Sequence, residues 1–389
     1  MKPTQNDAKK IAVLFGGRSS EHEISLRSSI FILNHIPLRY QIIPVGIHRD
    51  GRFFYLEGDL TSKNFKDVTT EHLKSIIDGH VPSLFPYAKV TKTAILPIPK
   101  NQLDGYINTQ FDILNTKCDC FFPVIHGATG EDGCLQGVFD MAEMPYLGCD
   151  IRRQVLCIDK DLQKRLVQHA GIPIAKYLAF HIVEYQENPQ KIFSRIQNEI
   201  GFPAFVKPNS SGSAVGANKI NNETEMQLYL EQAFQFDTKI IVEEFLKGTE
   251  VECAYLGIEG HHKISTPGEI ENENFYSYEE KYSQKSKARL FIPARLSKNR
   301  MTELQNLAQK VAVTLGLDAY ARIDFWNIES QNRFLFNEVN TIPGMTSISM
   351  FPSLWDFDKV TAEQWIEENI RHALARDRFN KKLSKGYQV

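Results

Sequence analysis

Two short runs near the C-terminal end set polar side chains at alternate positions. They are Arg322 and Asp324 in Ala321-Arg322-Ile323-Asp324-Phe325, and Glu338 and Asn340 in Phe336-Asn337-Glu338-Val339-Asn340. Residues two apart in a strand share a face. The polar stretch Glu329-Ser330-Gln331-Asn332 between them is turn-forming, so the runs pair as a hairpin and bring three oxygen donors and an arginine together. Asp, Glu and Asn are hard donors suited to Mg²⁺, which completes its shell with water and phosphate oxygens. Spacing alone leaves open a solvated strand face beside a structural salt bridge. A second signal is Val206-Lys207-Pro208-Asn209-Ser210-Ser211-Gly212-Ser213-Ala214-Val215-Gly216, where a strand delivers a lysine into a loop of small residues whose N–H groups can face an anion. It is not the loop G-x-x-x-x-G-K-[ST], and taken alone it also fits a plain turn. A third is the aromatic, charged run from Asn274 to Tyr282, inside a long segment without regular period. Such segments serve as lids or are loops pinned by their own tyrosines.

The elements that must position these groups read as alternating strands and helices. Lys10–Gly16 is an apolar run ending in glycine, as in a buried parallel strand. The turn Gly16–Ser20 follows, and Ser20-Glu21-His22-Glu23 reads as a capping box opening a helix, with Glu23 returning to the cap. A strand near 41–47 completes a βαβ start. Phe121–Ile125 is another buried strand, followed by the turn His126–Gly133 and a helix with Leu135, Val138, Phe139 and Met141 on one stripe. A helix carrying Lys160, Asp161, Lys164 and Arg165 stops at Gly171-Ile172-Pro173. Strands at 204–208 and 239–245 bracket a small α+β unit. The expected organisation is α/β: a doubly wound N-terminal domain over 1–150, alternating strands and helices to about residue 375, and a frayed tail at 376–389. No G-x-G-x-x-G follows the first strand, which argues against a dinucleotide-dependent dehydrogenase.

Composition narrows the class. Forty-five Lys+Arg against 47 Asp+Glu leaves no basic excess for gripping nucleic-acid phosphates. No apolar run approaches 18 residues, so no membrane span is expected, and the first ten residues lack the apolar core of a secretory signal. A cytoplasmic location follows as the expectation. Six cysteines in 389 residues make no disulfide scaffold; Cys118 and Cys120 read as strand side chains.

Five blocks in order resemble the D-alanine–D-alanine ligases of the ATP-grasp superfamily: residues 15–25 (FGGRSSEHEIS), 126–133 (HGATGEDG), 207–213 (KPNSSGS), 276–282 (YSYEEKY) and 337–347 (NEVNTIPGMTS). The resemblance runs from residue 11 to about 360 and implies an N-terminal pre-ATP-grasp domain followed by a two-lobed ATP-grasp fold, with lobes at 151–243 and 244–375 and a lid loop at 265–290. It implies that ATP phosphorylates one D-alanine and that the resulting acyl phosphate is attacked by the amine of a second, for peptidoglycan precursor synthesis. By resemblance, Asp324, Glu338 and Asn340 hold two Mg²⁺ or Mn²⁺ ions, and Lys160, Lys207 and Lys281 contact phosphates. Glu243, Glu244, Phe245 and Leu246 form the adenine hinge, Glu250 binds ribose, Phe275 packs on the nucleotide, and Ser213 and Ala214 lie in the phosphate loop. Glu21 holds the first D-alanine's ammonium within a Glu21–Ser213–Tyr282 network; His126, Ser349 and Met350 lie near the second substrate; Arg322 and the N–H of Gly344 stabilise the oxyanion. Ala214 departs from the family's usual serine, which a backbone contact tolerates. A homodimer is implied, with no nucleic-acid or membrane partner. The rivals are a D-alanine–D-lactate or D-alanine–D-serine ligase, which Tyr282 and Met350 argue against, and a non-catalytic binding protein, which the intact residue set argues against.

Overall fold

The computed structural model describes residues 8–80, 89–93, 118–258, 260–271 and 289–383. Its first sheet has the order β4-β3-β2-β1-β5, from β1 (Lys10–Gly16), β2 (Gln41–Ile47), β3 (Phe53–Glu57), β4 (Lys89–Thr93) and β5 (Cys120–Pro123). β1 pairs parallel with β2 and β5, whereas β2–β3 and β3–β4 are antiparallel. The continuous apolar run of β1 is explained by cover on both faces. Ile11, Val13 and Phe15 join the core under helix His22–His35, and Ala12 and Leu14 join the core under helix Cys134–Met141. On that second helix Leu135 and Phe139 are buried, but Met141 is exposed, so the expected apolar stripe ends at Phe139.

A four-stranded antiparallel sheet, β6-β9-β7-β8, follows: β6 (Tyr177–His181), β7 (Ala204–Pro208), β8 (Asn218–Ile220) and β9 (Lys239–Glu244). The third sheet has the order β13-β12-β10-β14-β15, with β11 beside β10. Its strands are β10 (Thr249–Ile258), β11 (His261–Ile264), β12 (Gly268–Glu271), β13 (Arg289–Phe291), β14 (Ala319–Ile328) and β15 (Arg333–Asn340). Period-two patterning decides which way this sheet faces. Ala321, Ile323 and Phe325 pack with Leu304, Ala308 and Val311 of helix Lys298–Leu315, leaving Arg322 and Asp324 on the opposite face. Helices Ile151–Ile158 and Lys160–His169 also lie on the helical side of this sheet, through Cys157 and Val167.

Two further expectations change. Residues 376–380, expected in a frayed tail, continue helix Ala362–Asn380. Arg376 fixes that end, donating to the carbonyls of Tyr146 and Gly148 and to Asp318. The edges of the expected lid, 268–271 and 289–291, are the paired strands β12 and β13; residues 272–288 lie outside the described residues.

Candidate active site

The hairpin forms as its spacing requires. β14 and β15 pair antiparallel, with Arg322 opposite Asn340 and Asp324 opposite Glu338. The register then shifts, Phe325 facing Phe336, so Asn337 is an extra residue on β15. This bulge reconciles two demands on one strand. Phe334 and Phe336 point into the core, and after the inserted residue Glu338 and Asn340 share the face of Arg322 and Asp324. Arg322 donates to both oxygens of Asp324, at 2.8 and 2.7 Å, and its Nε also lies 3.0 Å from Glu252. Asn340 donates to Asp324 Oδ2 at 2.8 Å. Lys160 Nζ stands 3.5 Å from Glu338 and donates to the Ser211 carbonyl at 2.8 Å.

Beside this hairpin opens a cleft of about 490 Å³ between the two C-terminal sheets. Lys160, Lys207, Ser213, Ala214, Glu338, Glu250 and the hinge from Glu243 to Leu246 all line it, so the residues expected to meet ATP converge. Phe275 and Lys281 lie outside the described residues. Lys207 contacts Glu243 at 2.8 Å and donates to the bulged Asn337 at 3.3 Å. The second oxygen of Glu243 meets Lys164 at 2.7 Å. Burial alone would raise the Glu243 carboxyl, but the charges of Lys164 and Lys207 outweigh it and hold the group at about 2. Burial depresses the Lys164 ammonium below its ordinary value; for Lys207 the carboxylates of Glu243 and Glu338 overcome burial and raise it.

The loop after β7 supplies the opposite wall. Ser213 (φ 52°) and Ala214 (φ 58°) adopt the left-handed conformation in succession, a costly arrangement for residues with a Cβ. That turn carries the Ser213 hydroxyl to the carboxylate of Glu21, to which it donates. Glu21 is the N-cap of the first helix, and its side chain makes no cap bond. The expected Ser20/Glu23 capping box is therefore absent. Ser19 Oγ accepts from the Glu21 N–H at 3.0 Å, and Glu23 pairs with Lys74 and Arg49 instead. Two glycines leave room for the Glu21 carboxylate. A Cβ on Gly212 would come within 2.8 Å of Oε2, and one on Gly127 would overlap the same oxygen.

His126 is buried with both ring nitrogens engaged, Nδ1 with the Ile342 carbonyl and Nε2 with Ser28 Oγ, each at 2.8 Å. Burial lowers its pKa, consistent with a neutral ring donating from Nδ1 and accepting at Nε2. It ties the first domain to the 341–349 loop. Glu131 does the same, accepting from Gly127 N–H at 2.9 Å and Ile342 N–H at 3.3 Å. Burial, reinforced by neighbouring Glu21, raises its carboxyl to about 8. In that loop Ser349 Oγ contacts Thr346 Oγ1 at 2.7 Å and accepts from Thr346 N–H at 3.1 Å. A Cβ on Gly344 would lie 3.1 Å from Ser349 Oγ, so the two sit side by side. Met350, expected near the second substrate, follows Ser349 at the start of its helix and is buried with Phe351, Leu354 and Trp355, its sulfur filling the space that a Cβ on Gly268 would need. Tyr282 lies outside the described residues.

Sequence reasoning passed over Lys164, Glu131, Glu252 and Asn337. Lys164 carried a signal: it follows Lys160 by four positions and so shares its helix face. Glu131 stood inside a recognised block, but only one of its two backbone partners, Gly127, is local; the other, Ile342, lies more than two hundred residues further along the chain.

A D-ala D-ala ligase N-terminus model matches residues 10–149, and a D-ala D-ala ligase C-terminus model matches 166–371. The chain belongs to the D-alanine–D-alanine ligase family. The D-alanine–D-alanine ligase of Caldicellulosiruptor bescii is 37% identical over 376 residues, covering 96% of this chain and 97% of that one. That of Oceanobacillus iheyensis is 34% identical over 377 residues, 96% and 98%. Among solved structures, the D-alanine–D-alanine ligase of Coxiella burnetii is similar with a TM-score of 0.78 at 28% identity, over 97% of both chains. A D-Ala:D-Ser ligase from Enterococcus faecalis has a TM-score of 0.76 at 33% identity, over 94% of this chain and all of that one. As an ATP-grasp family member the chain is an ATP-dependent ligase. No helix among the described residues is long and apolar enough to cross a membrane.

Proposed function

We propose that the protein joins two D-alanines into D-alanyl-D-alanine at the expense of ATP, supplying a peptidoglycan precursor. The observation that carries this reading is one continuous site in which the lysine-lined cleft and the buried Glu21 carboxylate meet at Ser213. A carboxylate resists an amine because it repels attack and has no leaving group. Phosphoryl transfer from ATP to the first D-alanine's carboxylate oxygen gives D-alanyl phosphate and ADP. The second D-alanine's amine then attacks the carbonyl, and phosphate leaves as the peptide bond forms.

Each group has a part that its placement supports. Lys160 and Lys207 take phosphate oxygens, the hinge at 243–246 holds the base, and Glu250 the ribose. Glu21, fixed by Ser213, binds the ammonium of the first D-alanine. Arg322 and the Gly344 N–H meet the oxyanion, where a preorganised donor is typically worth about 10²–10³ in rate. Ser349 adjoins the second substrate, and His126 acts by holding the 341–349 loop. The family resemblance adds Phe275, Lys281 and Tyr282, which lie outside the described residues.

The donor chemistry fits divalent cations. Asp324 and Glu338 are carboxylates directly opposite on paired strands; Arg322 and Lys160 offset part of that repulsion, and divalent cations would offset the rest. Asp324, Glu338 and Asn340 would hold two Mg²⁺ or Mn²⁺ ions, which supply charge neutralisation for the triphosphate. Family likeness also suggests a homodimer; a sedimentation mass equal to the 44.5 kDa chain would contradict it.

An ADP-release assay with D-Ala, L-Ala, D-Ser and D-lactate tests the reading, products being identified by mass. The likeness to a D-Ala:D-Ser ligase makes D-serine the necessary competitor. D-alanyl-D-alanine should dominate at equal acceptor concentrations, and a mixed product in excess would overturn the assignment.

A further inference from the structure

One buried group borders the cleft without a role in the reading above. Lys164 lies on helix Lys160–His169 one turn beyond Lys160, so a single helix face delivers two ammonium groups to the nucleotide cleft. Lys160 reaches Glu338 and the Ser211 carbonyl. Lys164 is fully enclosed and reaches Glu243, with its ammonium 5.9 Å from the centre of the Tyr177 ring.

Glu243 is thus held by two cations, one on each oxygen: Lys164 on Oε1 at 2.7 Å and Lys207 on Oε2 at 2.8 Å. The two are not equivalent. Both border the cleft, but Lys207 keeps a side-chain exposure of 11% and also touches Asn337, whereas Lys164 has a side-chain exposure of 0%. A triphosphate entering the cleft draws the ammonium that keeps some access to it, that of Lys207. Glu243 would then be a buried anion without a counter-charge, a strongly unfavourable state, unless a second cation stays behind.

We propose that Lys164 is a positioning residue for nucleotide binding: it neutralises Glu243 from the protein side, so that Lys207 can leave that carboxylate for a phosphate oxygen. Before binding, one carboxylate is shared by two ammonium groups. Afterwards Lys164 and Glu243 form a neutral pair, and the charge of Lys207 is spent on the nucleotide. This inference rests on the assignment of the cleft to ATP.

Two experiments test it. A crystal structure of the unaltered chain with a non-hydrolysable ATP analogue and Mg²⁺ should show Lys164 Nζ still within hydrogen-bonding distance of Glu243 and Lys207 Nζ on a phosphate oxygen. Lys164 moving to the phosphate, or Lys207 remaining on Glu243, would overturn the proposal. An analogue bound elsewhere would instead overturn the ATP assignment, and this inference with it. In kinetics, Lys164→Met should raise the KM for ATP by about tenfold or more, with kcat at saturating ATP and the KM for D-alanine changed by less than about threefold. Adding Glu243→Gln to that variant removes the anion that traps Lys207 and should bring the ATP KM down again by at least about threefold. Equal losses in all three parameters, with no recovery in the double variant, would mean that Lys164 only supports the fold. Should Lys164→Met fail to fold, the nucleotide-bound structure of the unaltered chain decides alone.

Discussion

Gly127→Ala should damage the first D-alanine site through a single methyl group. Gly127 has φ +69°, and a Cβ there would overlap Glu21 Oε2 and lie 2.8 Å from Ser19 Oγ, against an ordinary contact of 3.4 Å or more. The carboxylate must retreat by on the order of 1 Å, a misplacement that typically costs about 10²-fold in rate. It cannot retreat freely, because the Ser213 hydroxyl donates to the other oxygen of the same carboxylate and holds it in place. The substitution also carries backbone strain of about 1–2 kcal/mol from the left-handed conformation. Gly316→Ala separates the two effects: its backbone is left-handed (φ 64°, ψ 33°), and a Cβ there meets nothing closer than 3.7 Å. Both variants should lose similar backbone stability in denaturant titration. Only Gly127→Ala should lose kcat/KM for D-alanine in an ADP-release assay, by about 10²-fold or about 2.7 kcal/mol. Its KM for ATP should stay close to that of the unaltered chain, since Gly127 does not line the cleft. Equal kcat/KM for the two variants would refute the reasoning that Glu21 must stand where it does.

Glu338→Gln should abolish ligation while leaving the thermal transition in place; turnover above roughly a tenth of normal, a loss of only about 1.4 kcal/mol, would contradict the metal assignment. Asp318 is buried, which alone would raise its carboxyl, but its contacts with His372 and Arg376 prevail and hold it at about 2. A depressed carboxyl contributes stability above its unfolded pKa that is lost as pH falls toward the folded value. Asp318→Asn should therefore flatten the loss of stability between about pH 4 and pH 2, and denaturant midpoints that keep the original acid slope would contradict this. Tyr282→Phe should slow peptide formation by roughly three- to tenfold, the worth of about one neutral hydrogen bond, and raise the phosphate released per dipeptide; an unchanged ratio would remove Tyr282 from the proposed network. Protease cleavage within 265–290 should be suppressed by ATP, Mg²⁺ and D-alanine together, and equal cleavage with and without them would count against a lid.

Much of the site could be read from the chain because it is built from local patterns. The alternation of Arg322 with Asp324 and of Glu338 with Asn340 fixed the face that carries the polar groups, and the structure places all four on it. The bulge at Asn337 could not be read, because an extra residue has meaning only against the register of the partner strand. Glu243 and its two lysines were hidden for a related reason. Lys164, Lys207 and Glu243 come from a helix and two strands, and only their folding together turns three common surface residue types into a buried cluster. The first helix misled in the opposite direction. Ser20-Glu21-His22-Glu23 satisfies the local rule for a capping box, but the tertiary contact with Ser213 takes Glu21 for the site and leaves Glu23 to surface lysine and arginine.

The central claim is that ATP activates one D-alanine as an acyl phosphate, which the second D-alanine then captures. D-alanine labelled with ¹⁸O in both carboxylate oxygens tests this in one reaction, with phosphate and dipeptide analysed by mass. Transfer of one carboxylate oxygen to the phosphoryl group predicts inorganic phosphate carrying a single ¹⁸O for each dipeptide formed, with the other label kept at the new peptide carbonyl. Unlabelled phosphate, or phosphate released without dipeptide, would contradict the account.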